Sequence, residues 1–170
     1  LKRSKGCQNP YNNAMNIFLI GTGLIGSTLL EQLRDNQARL KKEEGIQLRV
    51  CGLANADRML LEKEGIILDH WNNEMNEKGV PLDLAALIAT IGSWSLPNSV
   101  FVDCTASQDV ADRYPEIAQK GSAVVAANKK AMSGSLEQYE ALKRVLKETK
   151  MPFLYETNVG AALPVIATLK

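Results

Sequence analysis

Short apolar runs rich in β-branched residues alternate along the chain with longer stretches whose apolar positions recur every three or four residues. The runs are NIFLI at 16–20, QLRVCGLA at 47–54, SVFVDCTA at 99–106, SAVVAAN at 122–128 and PFLYETNV at 152–159. Their length and composition predict buried strands. The helical stretches cover 26–43, 82–92, 109–120 and 135–149. In the last of these, Leu136, Tyr139, Leu142, Val145 and Leu146 form one apolar stripe, which reads as core packing. Ser107 and Ser135 stand where helix N-caps are expected, and Gly121 where a helix should stop. Residues 59–79 are polar and ambiguous in period, and read as one short helix and a long loop. Strands separated by helices predict βαβ units and an α/β fold, a doubly wound parallel sheet.

The two ends differ from this pattern. Residues 1–15 have no initiator Met and no apolar periodicity, as a linker or disordered segment would look. The patterned domain is assigned to 16–160, and 161–170 to the start of a connection to a further domain. The chain is therefore expected to be a piece of a longer protein.

Composition narrows the function classes. At 170 residues with 45% apolar and 23% charged positions, the chain has the balance of an ordinary globular domain. A net charge of +1 provides no electrostatic footprint for nucleic acid or an anionic membrane, so neither is expected as a partner. Three widely spaced cysteines, Cys7, Cys51 and Cys104, point to reduced thiols and a cytoplasmic setting. No apolar run reaches the roughly 18 residues of a membrane span.

The densest chemical signal is IGTGLIG. Gly21, Gly23 and Gly26 form G-x-G-x-x-G after a predicted strand and at the mouth of a predicted helix. Such a loop turns tightly at the first glycine, admits a pyrophosphate at the second, and packs helix on strand at the third. The free N–H groups and positive dipole end of the helix attract the phosphates. A purely structural turn is the competing reading. The dinucleotide fingerprint also wants an acidic residue at the tip of the second strand, where this chain has Ala54 and Asn55, with Asp57 and Arg58 just beyond. A missing carboxylate and a nearby guanidinium favour NADP over NAD, because Arg pairs with a 2′-phosphate that a carboxylate would repel. Arg58 as a solvated surface charge is the alternative.

In doubly wound sheets ligands gather at the carboxyl ends of the strands. The later strands deliver Thr105, Ala106 and Ser107, then Asn128, Lys129 and Lys130, then Asn158, Val159 and Gly160. Lys129 is the most useful of these chemically, since a cation there would orient a hydroxyl or carboxylate during hydride transfer; a solvated loop lysine is the alternative. Cys104 raises the question of a thiol nucleophile, but no histidine lies near it in sequence, and a small buried strand residue is the simpler reading. His70, beside Trp71, is the only histidine and reads as a surface or satisfied loop residue. No Ser-His-Asp arrangement and no Cys/His cluster of zinc spacing is present.

In order and spacing, NIFLIGTGLIGSTLLEQL, LRVCGLANADRMLL, VFVDCTASQDVADRY, VVAANKKAMSGS and FLYETNVGAALPVI resemble the nucleotide-binding region of homoserine dehydrogenase. The likeness is strongest to the dehydrogenase half of the bifunctional aspartokinase/homoserine dehydrogenases, and runs from Asn16 to the end of the chain. It implies a Rossmann NAD(P)-binding fold and, in the whole enzyme, reversible reduction of L-aspartate 4-semialdehyde to L-homoserine with NADPH or NADH. It further implies that Gly21, Gly23, Leu24, Ile25 and Gly26 hold the pyrophosphate, Ala54, Asn55 and Arg58 the adenosine end, and Thr105 and Lys129 the nicotinamide side. The family's cation site resembles ETNVGAALP: the Glu156 carboxylate with the carbonyls of Val159, Ala161 and Leu163 around a monovalent cation such as Na⁺. One departure is Ala162, where the family pattern V-G-A-G-L-P has its second glycine; its methyl group would strain or narrow the site. The family's acid/base lysine and substrate-holding acids would lie beyond Lys170, so no catalytic residue is expected in this chain and no turnover by it alone. The whole enzyme would be a homo-oligomer. A Rossmann semialdehyde dehydrogenase using Cys104, and a nucleotide-sensing regulatory domain, are the competing readings.

Overall fold

The computed structural model describes residues 13–158. They form a seven-stranded sheet of order β4-β3-β2-β1-β5-β6-β7. Its parallel part comprises β1 (Ala14–Ile20), β2 (Gln47–Ala54), β5 (Ser99–Asp103), β6 (Ala123–Ala126) and β7 (Phe153–Leu154). The helices are α1 (Leu24–Glu43), α2 (Trp71–Lys78), α3 (Leu84–Trp94), α4 (Gln108–Ala111), α5 (Tyr114–Gln119), α6 (Lys130–Ser133) and α7 (Leu136–Thr149).

Strand periodicity divides the core between the two faces of the sheet. Phe18 and Ile20 of β1 join Phe101, Val124 and Ala126 on one face, under Leu87, Ile88 and Ile91 of α3, Tyr114 and Ile117 of α5, and Leu142 of α7. Ile17 and Leu19 face the other way, with Val50, Leu53 and Val102, under Leu30 of α1 and Met75 of α2. The central strands β1, β2 and β5 are apolar on both sides because helices lie over both faces there, which is why their runs read as continuous rather than alternating.

The caps stand where the sequence placed them. The Ser107 hydroxyl accepts a hydrogen bond from Val110 N, and Ser135 forms a capping box with Gln138 at the start of α7. Gly121 follows α5 at φ +81°, a conformation that favours glycine.

Two expectations are corrected. The sheet is mixed rather than wholly parallel, because 59–79 contains, besides the expected short helix, most of a strand. β3 (Arg58–Leu61) pairs antiparallel with β2, and β4 (Val80–Pro81) antiparallel with β3. A one-turn helix at Leu68–His70 and α2 lie between them. The strands have four and two residues, too few for a period to emerge. The turn into β3 is built by a side chain: Asn55 Oδ1 accepts from the amides of Asp57 (2.9 Å) and Arg58 (2.7 Å). In the second correction, the helix expected over 109–120 is two short helices, with Pro115 in the first turn of α5.

Candidate cofactor site

β1 is the point at which the strand order reverses, with β2 on one side and β5 on the other. The crevice at the carboxyl ends of such a pair is where an open α/β sheet takes ligands. Here Gly21 leaves β1 at φ +93°, and its amide donates to Ala54 O (2.8 Å). Cys104 N donates to Ile20 O (2.9 Å), drawing the loop after β5 to the same place.

The three glycines are needed for different reasons. A Cβ on Gly21 would lie 2.8 Å from the Cys104 carbonyl carbon and from Thr105 Cγ2. One on Gly26 would lie 1.9 Å from Gly21 O, so this glycine lets α1 close onto the turn. Gly23 is different: at φ −70° its backbone suits any residue, and nothing stands within 4 Å of its Cβ direction. No packing or strain requires glycine there, and the space over it is open. Gly23 is also the N-cap of α1, with no side-chain cap and no acidic residue in the first turn. The positive end of a 20-residue helix therefore faces the crevice with no acidic residue in its own first turn, Asp109 of α4 being the acidic residue in the cleft lining.

A cleft of about 490 Å³ opens there, lined by Gly21, Thr22, Gly23, Asn55, Thr105 and Ser107, with Leu82 and Val110 among its apolar wall. Gly21, Gly23, Asn55 and Thr105 are thus brought together. Ala54 is wholly buried beneath the loop and acts through its carbonyl. Leu24 and Ile25 are exposed, and their side chains line a separate apolar groove of about 580 Å³ beside α1, with Val102, Val125 and Leu154; only their backbone amides belong to the helix end. Arg58 is exposed at the start of β3 and its Nη1 donates to Asn76 O (2.7 Å) and Met75 O (3.4 Å), so the C-terminal carbonyls of α2 hold it in place. Lys129 is exposed at the N-cap of α6 and does not line the cleft.

Beneath the cleft lies a polar group that sequence reasoning overlooked. Asp103, the last residue of β5, is wholly buried. Its Oδ1 accepts from Thr105 N (2.7 Å), and its Oδ2 from the Tyr114 hydroxyl (2.7 Å) and Asn128 Nδ2 (2.9 Å). Asn128 also donates to Ser107 O (2.8 Å) and accepts from Lys130 N (3.0 Å). Burial, reinforced by the Asp103 carboxylate, pushes the Tyr114 phenol far above its ordinary range, so it stays a donor. The available signal was an aspartate closing an otherwise apolar strand, since a charge in that position needs partners.

Nothing around Cys104 activates it as a nucleophile. Burial and then the neighbouring Asp103 carboxylate push its thiol up to about 11, and it lines the α1-side groove rather than the cleft. His70 is exposed in the one-turn helix before α2. Of the four cation ligands, Glu156 lies half-buried at the rim of the same groove. Val159, Ala161 and Leu163 lie outside the described residues, as does Ala162. Among the described residues there is no cluster of three His, Cys, Asp or Glu side chains able to hold a metal, and no helix long and apolar enough to cross a membrane.

Comparison with known proteins agrees with this geometry. The profile of the family described as homoserine dehydrogenase, NAD binding domain, matches residues 21–156. The chain belongs to that family. It is 46% identical over 153 residues to the bifunctional aspartokinase/homoserine dehydrogenase 2, chloroplastic, of Arabidopsis thaliana, covering 89% of this chain and 17% of the relative. It is 39% identical over 165 residues to the bifunctional aspartokinase/homoserine dehydrogenase of Haemophilus influenzae, covering 96% and 20%. The chain thus spans about a fifth or less of the length of these relatives. The fold is shared with the homoserine dehydrogenase of Thermoplasma acidophilum (TM-score 0.71, 19% identity, 92% of this chain, 42% of that one). It is shared equally with a hyperthermophilic archaeal homoserine dehydrogenase in complex with NADPH (TM-score 0.70, 19% identity, 92% and 48%).

Proposed function

We propose that this chain holds the nicotinamide cofactor of a homoserine dehydrogenase, an NADP-preferring catalyst of the reduction of L-aspartate 4-semialdehyde to L-homoserine. The observation that carries the reading is Gly23: an unobstructed glycine at the uncapped positive end of α1, opening on the cleft at the β1/β5 reversal. A pyrophosphate fits that place by charge and by shape. The adenosine end would then lie toward Asn55 and Arg58 at the tip of β2, and the nicotinamide toward Thr105 at the tip of β5. When bound, the cofactor supplies the hydride; this chain's residues bind and orient it.

NADP preference rests on Arg58. With one guanidinium nitrogen seated on the carbonyls ending α2, the charge stays beside the tip of β2, where no carboxylate ends the strand. Arg58→Ala is expected to weaken NADPH binding about tenfold while leaving NADH within about twofold, as loss of a charge-assisted contact to a 2′-phosphate predicts. Equal effects on both cofactors in a fluorescence titration would remove the preference. The reaction itself is tested by NADPH oxidation with aspartate 4-semialdehyde in the gene product that carries this chain; no oxidation there would overturn the assignment.

Two further parts of the reading rest on kinship. A monovalent cation such as Na⁺ is proposed at Glu156 with the carbonyls of Val159, Ala161 and Leu163. Activity independent of Na⁺ and unchanged in Glu156→Gln would exclude it. Assembly as a homo-oligomer is proposed for the whole enzyme and is checked by sedimentation.

A further inference from the structure

We propose that Asp103 is the positioning residue for the nicotinamide side of the cleft, tying the loop after β5 to the loop after β6. This inference rests on the cofactor reading above and deepens it.

Two loops meet at the carboxyl ends of β5 and β6, and neither has regular structure to hold it. The loop after β5 carries Thr105 and Ser107, both lining the cleft; the loop after β6 carries Asn128 and leads to Lys129 and Lys130. One carboxylate reaches both. Oδ1 of Asp103 fixes the Thr105 amide, and Oδ2 takes Asn128 Nδ2 and the Tyr114 hydroxyl. Asn128 extends the link to Ser107 O on the first loop and Lys130 N on the second. Asp103 and Tyr114 are wholly buried and Asn128 nearly so, so these bonds form in a region of low dielectric, where each is strong and an unpaired member would be costly.

The chemistry of the group matters. A carboxylate only accepts, and here it faces three donors, so every lone-pair direction in use is matched. An amide of the same shape must turn an NH₂ group toward at least one donor. The network would then lose its closure without losing volume, and the loops would be released from each other while the core stayed filled. The pyrophosphate turn is held differently, by Gly21 N on Ala54 O and Cys104 N on Ile20 O. Damage at Asp103 should therefore fall on the nicotinamide half alone.

The test uses two ligands on the 170-residue chain: NADPH, which spans the cleft, and 2′,5′-ADP, which carries only the adenosine end. Asp103→Asn is expected to raise the NADPH Kd about tenfold and to leave the 2′,5′-ADP Kd within about twofold, the loss expected when a buried hydrogen-bond network is opened. Hydrogen exchange should quicken at the Thr105 and Lys130 amides and stay unchanged at Gly21. Tyr114→Phe removes one donor and keeps the carboxylate; a smaller loss, about threefold and again confined to NADPH, is expected. That variant decides the matter if Asp103→Asn does not fold. An equal rise for both ligands would reduce Asp103 to a folding role and overturn the proposal, as would no change for either. If the unsubstituted chain binds neither ligand, the cofactor reading itself falls; if it binds both and the variants match it, only the positioning role falls.

Discussion

At the scale of single residues, the glycine loop separates two physical demands that one motif conceals. Gly26 exists for packing, since a methyl group there would fall on Gly21 O. Gly26→Ala should cost about 3 kcal/mol of stability, the range of an overpacked core site that cannot relax. Gly23 has no such neighbour and an ordinary φ, so Gly23→Ala should unfold within about 0.5 kcal/mol of the parent. It should nevertheless weaken NADPH about tenfold or more, because the methyl group occupies the approach of the pyrophosphate. Thermal denaturation and a fluorescence titration on the pair check both halves; full NADPH affinity in Gly23→Ala would show that the glycine faces no ligand. The motif and its spacing were legible in the sequence, but which glycine serves packing and which serves a ligand was not, because that depends on atoms from β1, β5 and the loop after β5.

Among the elements, those whose signals are local were read accurately. α7 carries its own start signal: Gln138 N donates to Ser135 Oγ (3.3 Å) and Ser135 N to Gln138 Oε1 (3.2 Å). Ser135→Ala should lower stability by about 1 kcal/mol in urea unfolding, the usual loss of an N-cap. NADPH affinity should stay unchanged, since no residue of α7 lines the cleft; a parallel loss of affinity would mean that α7 is coupled to the site. The elements that escaped notice were short and held from outside. β3 owes its existence to pairing with β2 and to the Asn55 side chain, and β4 to pairing with β3. Each is too short to show a period of its own, so strand pairing decides it.

For the molecule as a whole, burial sets a behaviour in alkali. Desolvation, the leading cause at both, holds the Cys51 and Cys104 thiols up at about 11 against an ordinary value of 9.0, and drives Tyr114 higher still. The folded chain therefore keeps protons that the unfolded chain releases as pH rises past about 9. Stability should fall between pH 9 and 11, by about 1–2 kcal/mol per thiol after allowing for partial exposure of Cys104. Below about pH 8 these groups should contribute no slope, since both states are then protonated. Urea midpoints across this range, with and without Cys104→Ser, check the sign; a midpoint that rises from pH 9 to 11 would contradict it.

The sequence by itself determined the α/β alternation, the glycine loop at the first strand–helix junction, the caps at Ser107, Ser135 and Gly121, and the resemblance to the homoserine dehydrogenases. Each of these depends on neighbours within a few positions or on motifs that keep a fixed order. Only the tertiary structure decided that the sheet ends in an antiparallel pair, that Thr105 is among the residues lining the cleft, and that Asp103 joins Tyr114 and Asn128 across 11 and 25 positions. Those facts depend on which strand tips lie side by side, a distance in space that no local pattern encodes.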